Sequence, residues 1–235
     1  MAKSKSLPLI AVEHDALPDS LSPVERHWAK ANGFSGQRGR LLALPGEGGT
    51  ISGYLFGMGK ADDRPALLLG QAAAALEPGR YRLAGSFGDP SLAALALRLG
   101  AYRFDRYRKP RDPVAFDVVE GADAAEVSRL ADAAFLARDL INTPANDLGP
   151  DAFEKEIRAF CKRHKLEIKV IAGEELLKAN FPLIHAVGRA AAEAPRLVEF
   201  TWGKAKDPKV TLVGKGVTFD TGGLDIKPSA GMLLM

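Results

Sequence analysis

The last 26 residues constrain the chain most. Val210 to Val213 reads as a short buried strand, and it breaks at once into Gly214, Gly216, Gly222 and Gly223. Lys215, Asp220, Asp225 and Lys227 stand among and just after these glycines. Glycine lets a backbone turn sharply and lets a ligand come close. A strand that ends in a Gly-rich, charged loop is where an open α/β sheet places its site.

The rest of the chain fits that class. Short apolar runs predict strands over Leu7–Val12, Arg40–Leu44, Ile51–Gly57, Ala66–Leu69 and Gly79–Gly85, with another after Pro110. Ser22-Pro23 followed by Glu25 predicts a capped helix to Ala31, and Ser91–Leu99 a short Ala/Leu helix. Asp123–Ile141 carries apolar residues at helical spacing in Val127, Leu130, Ala131, Ala134 and Phe135. Asn142-Thr143-Pro144 stops it, because a residue before proline avoids the helix. A second helix is predicted over Pro150–Lys165, a strand over Leu166–Val170, a short helix over Glu174–Ala179, and strands over Arg196–Trp202 and Val210–Val213. The expected architecture is α/β: an N-terminal α/β domain, 1–122, then the start of a second α/β domain, 123–235. That second domain should carry a mixed, mostly parallel sheet delivering Lys215 and Asp220 to one edge.

Composition excludes little but sets the class. The chain has 235 residues, 46% hydrophobic and 26% charged, which is ordinary for a globular protein. A net charge of +3 points to no polyanionic partner. The single cysteine, Cys161, excludes an intramolecular disulfide and fits a reducing, cytoplasmic compartment. It lies on a helix's apolar face and is expected to be a core thiol. The apolar run after Met1 is too short for a signal peptide, and none spans a bilayer. His14, His27, His164 and His185 are scattered, with no HExxH, and neither Lys60 nor Lys215 completes a P-loop.

The run Val213-Gly-Lys-Gly-Val-Thr-Phe-Asp-Thr-Gly-Gly-Leu-Asp-Ile-Lys-Pro-Ser229 resembles the metal-binding core of the leucyl aminopeptidase (cytosol aminopeptidase) family, which are two-metal exopeptidases. Leu99–Arg108 and Arg138–Asn146 resemble the end of that family's N-terminal domain and the entrance to its catalytic domain. The resemblance implies a metal-dependent aminopeptidase. Two divalent ions, Mn2+ or Zn2+, would support hydroxide attack on the first peptide bond, releasing leucine-like N-terminal residues from peptides. It implies Lys215 and Asp220 as metal ligands and Lys227 as the catalytic lysine that stabilises oxyanion charge. A lysine ligates only as the neutral amine, which calls for burial and neighbouring cations. From spacing alone, an ion pair of Lys215 with Asp220 is the simpler expectation. Met235 lies where the family lines the pocket for the substrate's first side chain, Met232 is expected in the core, and Asp225 has no counterpart among the family's ligands.

The same resemblance places further Asp and Glu ligands and an arginine beyond the Met235 position, so the chain reads as the N-terminal portion of such a protein. Two side chains make less than the usual first shell for two metals. Peptides are the implied substrates and a homohexamer the implied assembly, with no membrane. Arg98, Arg103, Arg106, Arg108, Lys109 and Arg111, interleaved with Tyr102, Phe104 and Tyr107, keep DNA as a second partner. On that alternative the chain is a non-catalytic or DNA-binding protein on an aminopeptidase-like scaffold. The simpler reading of this stretch is a solvated edge or a subunit contact.

Overall fold

The computed structural model describes residues 6–224 and 226–233. The chain divides into two compact units, Met1–Asp139 and Leu140–Met235.

The first unit is built on a five-stranded sheet. Its strands are β1 (Leu7–Glu13), β2 (Leu41–Pro45), β3 (Ile51–Gly59), β4 (Gly79–Gly85) and β5 (Val114–Phe116), in the order β2-β3-β1-β4-β5. β1 pairs in parallel with β3 and β4, β4 in parallel with β5, and only β2 runs antiparallel to its neighbour β3. The mixed, mostly parallel sheet is therefore present, and it lies in this unit.

Period-2 alternation sends the strands' side chains to two cores. Leu9 and Ala11 of β1, with Tyr54, Phe56 and Met58 of β3, pack against α2 (Leu69–Ala75) and α3 (Pro90–Gly100). Val12 and Leu55 face the other way, against Ala29 of α1 (Pro23–Ala31), Leu21, Phe34 and Leu44.

Local chemistry fixes the helix starts. Ser22 caps α1 in a reciprocal box: its hydroxyl accepts from Glu25 N–H at 3.3 Å, and the Glu25 carboxylate accepts from Ser22 N–H at 3.0 Å. Pro23 sits at the first helical position. Asp89 caps α3 by accepting from Leu92 N–H at 2.7 Å. α2 and α3 touch through main chain. A Cβ on Gly100 would lie 2.0 Å from Gly70 O, and a Cβ on Gly70 would lie 2.9 Å from Ala96 O.

α4 (Ala124–Asn142) begins at Asp123, whose carboxylate accepts from Ala125 and Glu126 N–H at 3.1 and 3.0 Å. It is tied to α3 by Arg98, which donates to Ser128 Oγ and Asp132 Oδ1. Val127 and Ala131 are its buried residues.

The second unit holds α5 (Pro150–His164), an antiparallel pair of β6 (Glu167–Ala172) and β7 (Arg196–Thr201), and the short helices α6 (Glu175–Lys178), α7 (Pro182–Gly188) and α8 (Ser229–Met232). Cys161 is buried, as a core thiol should be. Arg196 pins β7 to α5 by pairing with Asp151 and, at 2.5 Å, with Glu154. Glu193 stands in for a cap on α5, accepting from Asp151 N–H at 2.7 Å.

Two expected strands are absent. Residues 66–68 form a turn and Leu69 opens α2, because the apolar run continues into Gln71 and four alanines, which favour helix. Val210–Val213 is not a strand either. A strand exists by pairing, and no segment pairs with it among the described residues. Val213 is 93% exposed. The described strands of the second unit are therefore the antiparallel β6–β7 pair.

Candidate active site

The loop at 220–227 folds back on itself. Asp220 Oδ1 accepts from Gly222 N–H at 2.7 Å, a side-chain turn that starts the reversal. Gly222 and Gly223 follow at φ +77° and +89°, the left-handed region that glycine enters without strain. Lys227 N–H then donates to Thr221 O at 2.9 Å and closes the loop. Gly222 also makes room for the lysine, since a Cβ there would meet Lys227 Cγ at 3.2 Å.

The reversal brings Lys227 Nζ to 2.6 Å from Asp220 Oδ2 and 3.3 Å from Asp220 O. Asp220 is held below the usual carboxylate range by the Lys227 hydrogen bond first, then by Gly222 N–H, with the charges of Lys227 and Lys215 adding to it. Lys215 thus acts on Asp220 through its charge, and its own side chain is exposed. The ion pair expected of Asp220 is found, but with Lys227 as the partner rather than Lys215. Upstream, Gly216 lies on the Phe153 ring of α5, where a Cβ would be 3.0 Å from Cε1.

Asp220 is a deprotonated hard oxygen donor and Lys215 a nitrogen donor, so both are of a type that fits a divalent ion. They form part of a shell rather than the whole of one. Among the described residues no group of three or more His, Cys, Asp and Glu side chains could hold a metal. The burial that a neutral lysine ligand requires is not supplied around Lys215 by the described residues. Met235, expected in the substrate pocket, and Asp225 lie outside the described residues, whereas Met232 is half-buried.

The basic stretch of the first unit is largely engaged. Arg98 pairs with Asp132 at 2.9 Å, Arg108 with Asp105 at 3.1 Å, and Arg103 donates to main-chain carbonyls. Arg106 stands over the Tyr107 ring at 5.8 Å. Among the described residues no helix is long and apolar enough to cross a membrane.

Residue spacing alone did not mark Arg196, Glu154 and Glu193 as the organisers of the second unit. Their only sequence signal is charge at positions that otherwise read as helix or strand ends.

Residues 7–119 match the M17 aminopeptidase N-terminal domain and residues 135–235 the cytosol aminopeptidase family catalytic domain, so the chain belongs to the M17 cytosol aminopeptidase family. It is 32% identical over 223 residues to a probable cytosol aminopeptidase of Corynebacterium diphtheriae, covering 86% of this chain and 44% of that protein. The cytosol aminopeptidase structure from Coxiella burnetii is 36% identical with a TM-score of 0.84, covering 100% of this chain and 52% of that one. The bottromycin maturation enzyme BotP in complex with Mn is 32% identical with a TM-score of 0.79, covering 96% of this chain and 51% of that one. The chain spans about half the length of the relatives it matches.

Proposed function

We propose that the protein is a metal-dependent aminopeptidase that removes leucine-like residues from the N-termini of peptides. The Asp220–Lys227 loop carries this reading, because it lies in the stretch that matches the family's catalytic domain. The domain assignment, 1–122 and 123–235, belongs to the same reading, supported by family matches over 7–119 and 135–235.

Lys215 and Asp220 would hold divalent metal, Mn2+ or Zn2+, and the Mn complex of BotP supports manganese. When bound, such ions would lower the pKa of a water and polarise the scissile carbonyl. The chain's own residues do the rest. Asp220 stays ionised, so it needs no proton removed before it serves as a ligand. Lys227 carries its positive charge on a loop closed by Gly222 and Thr221, which is the preorganisation that stabilising an oxyanion requires. Met235 would line the pocket for the first side chain. A homohexamer and a cytoplasmic location complete the proposal, the latter supported by the cytosol aminopeptidase relatives.

The test is leucine release from leucine amide by protein purified from its native source. Chelation should abolish release and added Mn2+ restore it. Asp220→Ala should abolish it with the melting temperature little changed. Turnover that survives both treatments refutes the reading.

A second reading, DNA binding without catalysis, rests on the exposed Tyr107 with Arg106 over its ring beside Lys109 and Arg111. Against it, Arg98 and Arg108 are ion-paired with Asp132 and Asp105 within the protein. It requires salt-dependent DNA retention that falls when Lys109 and Arg111 are neutralised. No retention at low salt ends it.

A further inference from the structure

β5 is the outer strand of the first unit's sheet, bonded to β4 on one side. The ladder fixes which of its groups point away. Gly79 N–H donates to Pro113 O, and Asp117 N–H donates to Tyr81 O. Backbone groups alternate sides along a strand, so those of Ala115 face β4, while the N–H and C=O groups of Val114 and Phe116 face outward.

A cavity of about 450 Å3 lies beside this edge. Phe116, Phe135 and Tyr102 supply apolar wall, and Arg98, Arg103 and Asp139 supply charge. A volume of this size suits a small ligand or a few residues of peptide.

The charged groups are not equivalent. Arg98 is matched by Asp132 at 2.9 Å and by Ser128 Oγ at 2.7 Å. Asp139 accepts from the Tyr102 hydroxyl at 2.7 Å. Among the described residues Arg103 donates only to the carbonyls of Gly100, Tyr102 and Ala74, at 3.0 to 3.4 Å. Among the described residues its guanidinium therefore forms no ion pair, although Asp139 stands in the same wall. An outer strand edge beside a guanidinium bonded to carbonyls alone among the described residues suits a ligand with a peptide backbone and a carboxylate.

We propose that the β5 edge and this cavity bind the C-terminal end of an extended peptide, its backbone pairing with Val114 and Phe116 and its terminal carboxylate lying on Arg103. Two outward-facing residues at about 3.3 Å per residue accommodate two or three residues of peptide. An apolar side chain near the carboxylate would rest on Phe135. The site lies wholly in the first unit and does not depend on the aminopeptidase reading.

The probe is Thr-Val-Thr-Val-Leu with fluorescein blocking its N-terminus and a free C-terminal carboxylate, titrated against the 235-residue chain by anisotropy. Saturable binding is expected. Amidating the peptide's C-terminus should weaken it about tenfold, and so should Arg103→Gln, the loss expected for one charge-assisted contact. The two changes together should cost no more than either alone. Val114→Pro deletes an outward N–H but no ladder bond, so it should weaken binding while leaving the fold intact. Equal binding of the carboxylate and amide probes to the unmodified chain overturns the proposal, whatever the variants do. So does an absence of saturation up to about 1 mM peptide, the weak limit of specific recognition. Self-association of the chain that Val114→Pro abolishes, without peptide binding, would make a second copy the occupant and also overturn it.

Discussion

Tyr81 gives the sharpest test of the first unit's core. It is only 2% exposed, and its hydroxyl donates to Glu77 O at 2.8 Å. Burial, with neighbouring Tyr54 and Glu77 adding to it, pushes its pKa up to about 12 from the usual 10.0. The folded chain therefore holds a proton that the unfolded chain has released between those values. Folding stability must fall as pH rises through this window and beyond, by at most about 1.4 kcal/mol per unit, towards a limit of about 2.7 kcal/mol above pH 12. Tyr81→Phe removes both the hydrogen bond and the titration. At pH 7 it should cost about 1 kcal/mol, the net worth of one buried hydrogen bond. The cost should shrink as pH approaches and passes 10, vanish near pH 10.7 and reverse by pH 12, as about 1 kcal/mol is overtaken by the wild type's alkaline loss. Urea denaturation of both proteins across this range measures the difference and cancels what other groups contribute. Parallel pH profiles for the two proteins would refute the argument, because they would mean that Tyr81 ionises equally in both states.

Arg196→Met should cost about 2 kcal/mol, since it strips the partner from Glu154 on α5 and both side chains are largely out of solvent. Burial alone would push the Glu154 carboxyl up, but Arg158 and Arg196 more than offset this and hold it below its usual range. That contribution is present above the normal carboxylate range and is lost as pH falls through the depressed value. The variant should therefore lose less stability than wild type on acidification, as followed by thermal melting, and an unchanged acid limb would count against the pairing. Gly222→Ala forces a left-handed turn on a residue with a side chain and crowds the Lys227 stem. Leucine release should fall more than about tenfold with little change in melting temperature. Undiminished turnover would detach the position of Lys227 from the chemistry.

Much of the fold is legible because the signals are local. Ser22, Pro23 and Glu25 specify the start of α1 without help from elsewhere, and the Val127–Ala131 spacing marks the buried side of α4. α2 is not legible in the same way. Four alanines have no polar phase, so Leu68-Leu69 reads equally as strand or helix until the sheet beneath it is known. Val210–Val213 fails for a different reason: β-branched residues favour a strand but cannot supply its partner. At the candidate site, the residue types were legible and the pairing was not. A separation of seven residues between Asp220 and Lys227 says nothing of contact until Gly222 and Gly223 reverse the chain. The cavity beside β5 draws on three separate stretches, 98–103, 114–116 and 135–139, and no local pattern links them.

The meeting of Gly70 with Gly100 has a consequence for how the chain can vary. Most helix pairs are spaced by side chains, so a larger residue on one helix can be answered by a smaller one opposite. Here the two main chains touch, and nothing remains to be made smaller. Each glycine is therefore irreplaceable on its own account, and no second substitution restores what the first removes. At this crossing the approach of α2 to α3 is limited by backbone atoms. It should stay fixed while the surrounding leucines and alanines are exchanged, which makes this crossing a reference point against which the rest of that core can be redesigned.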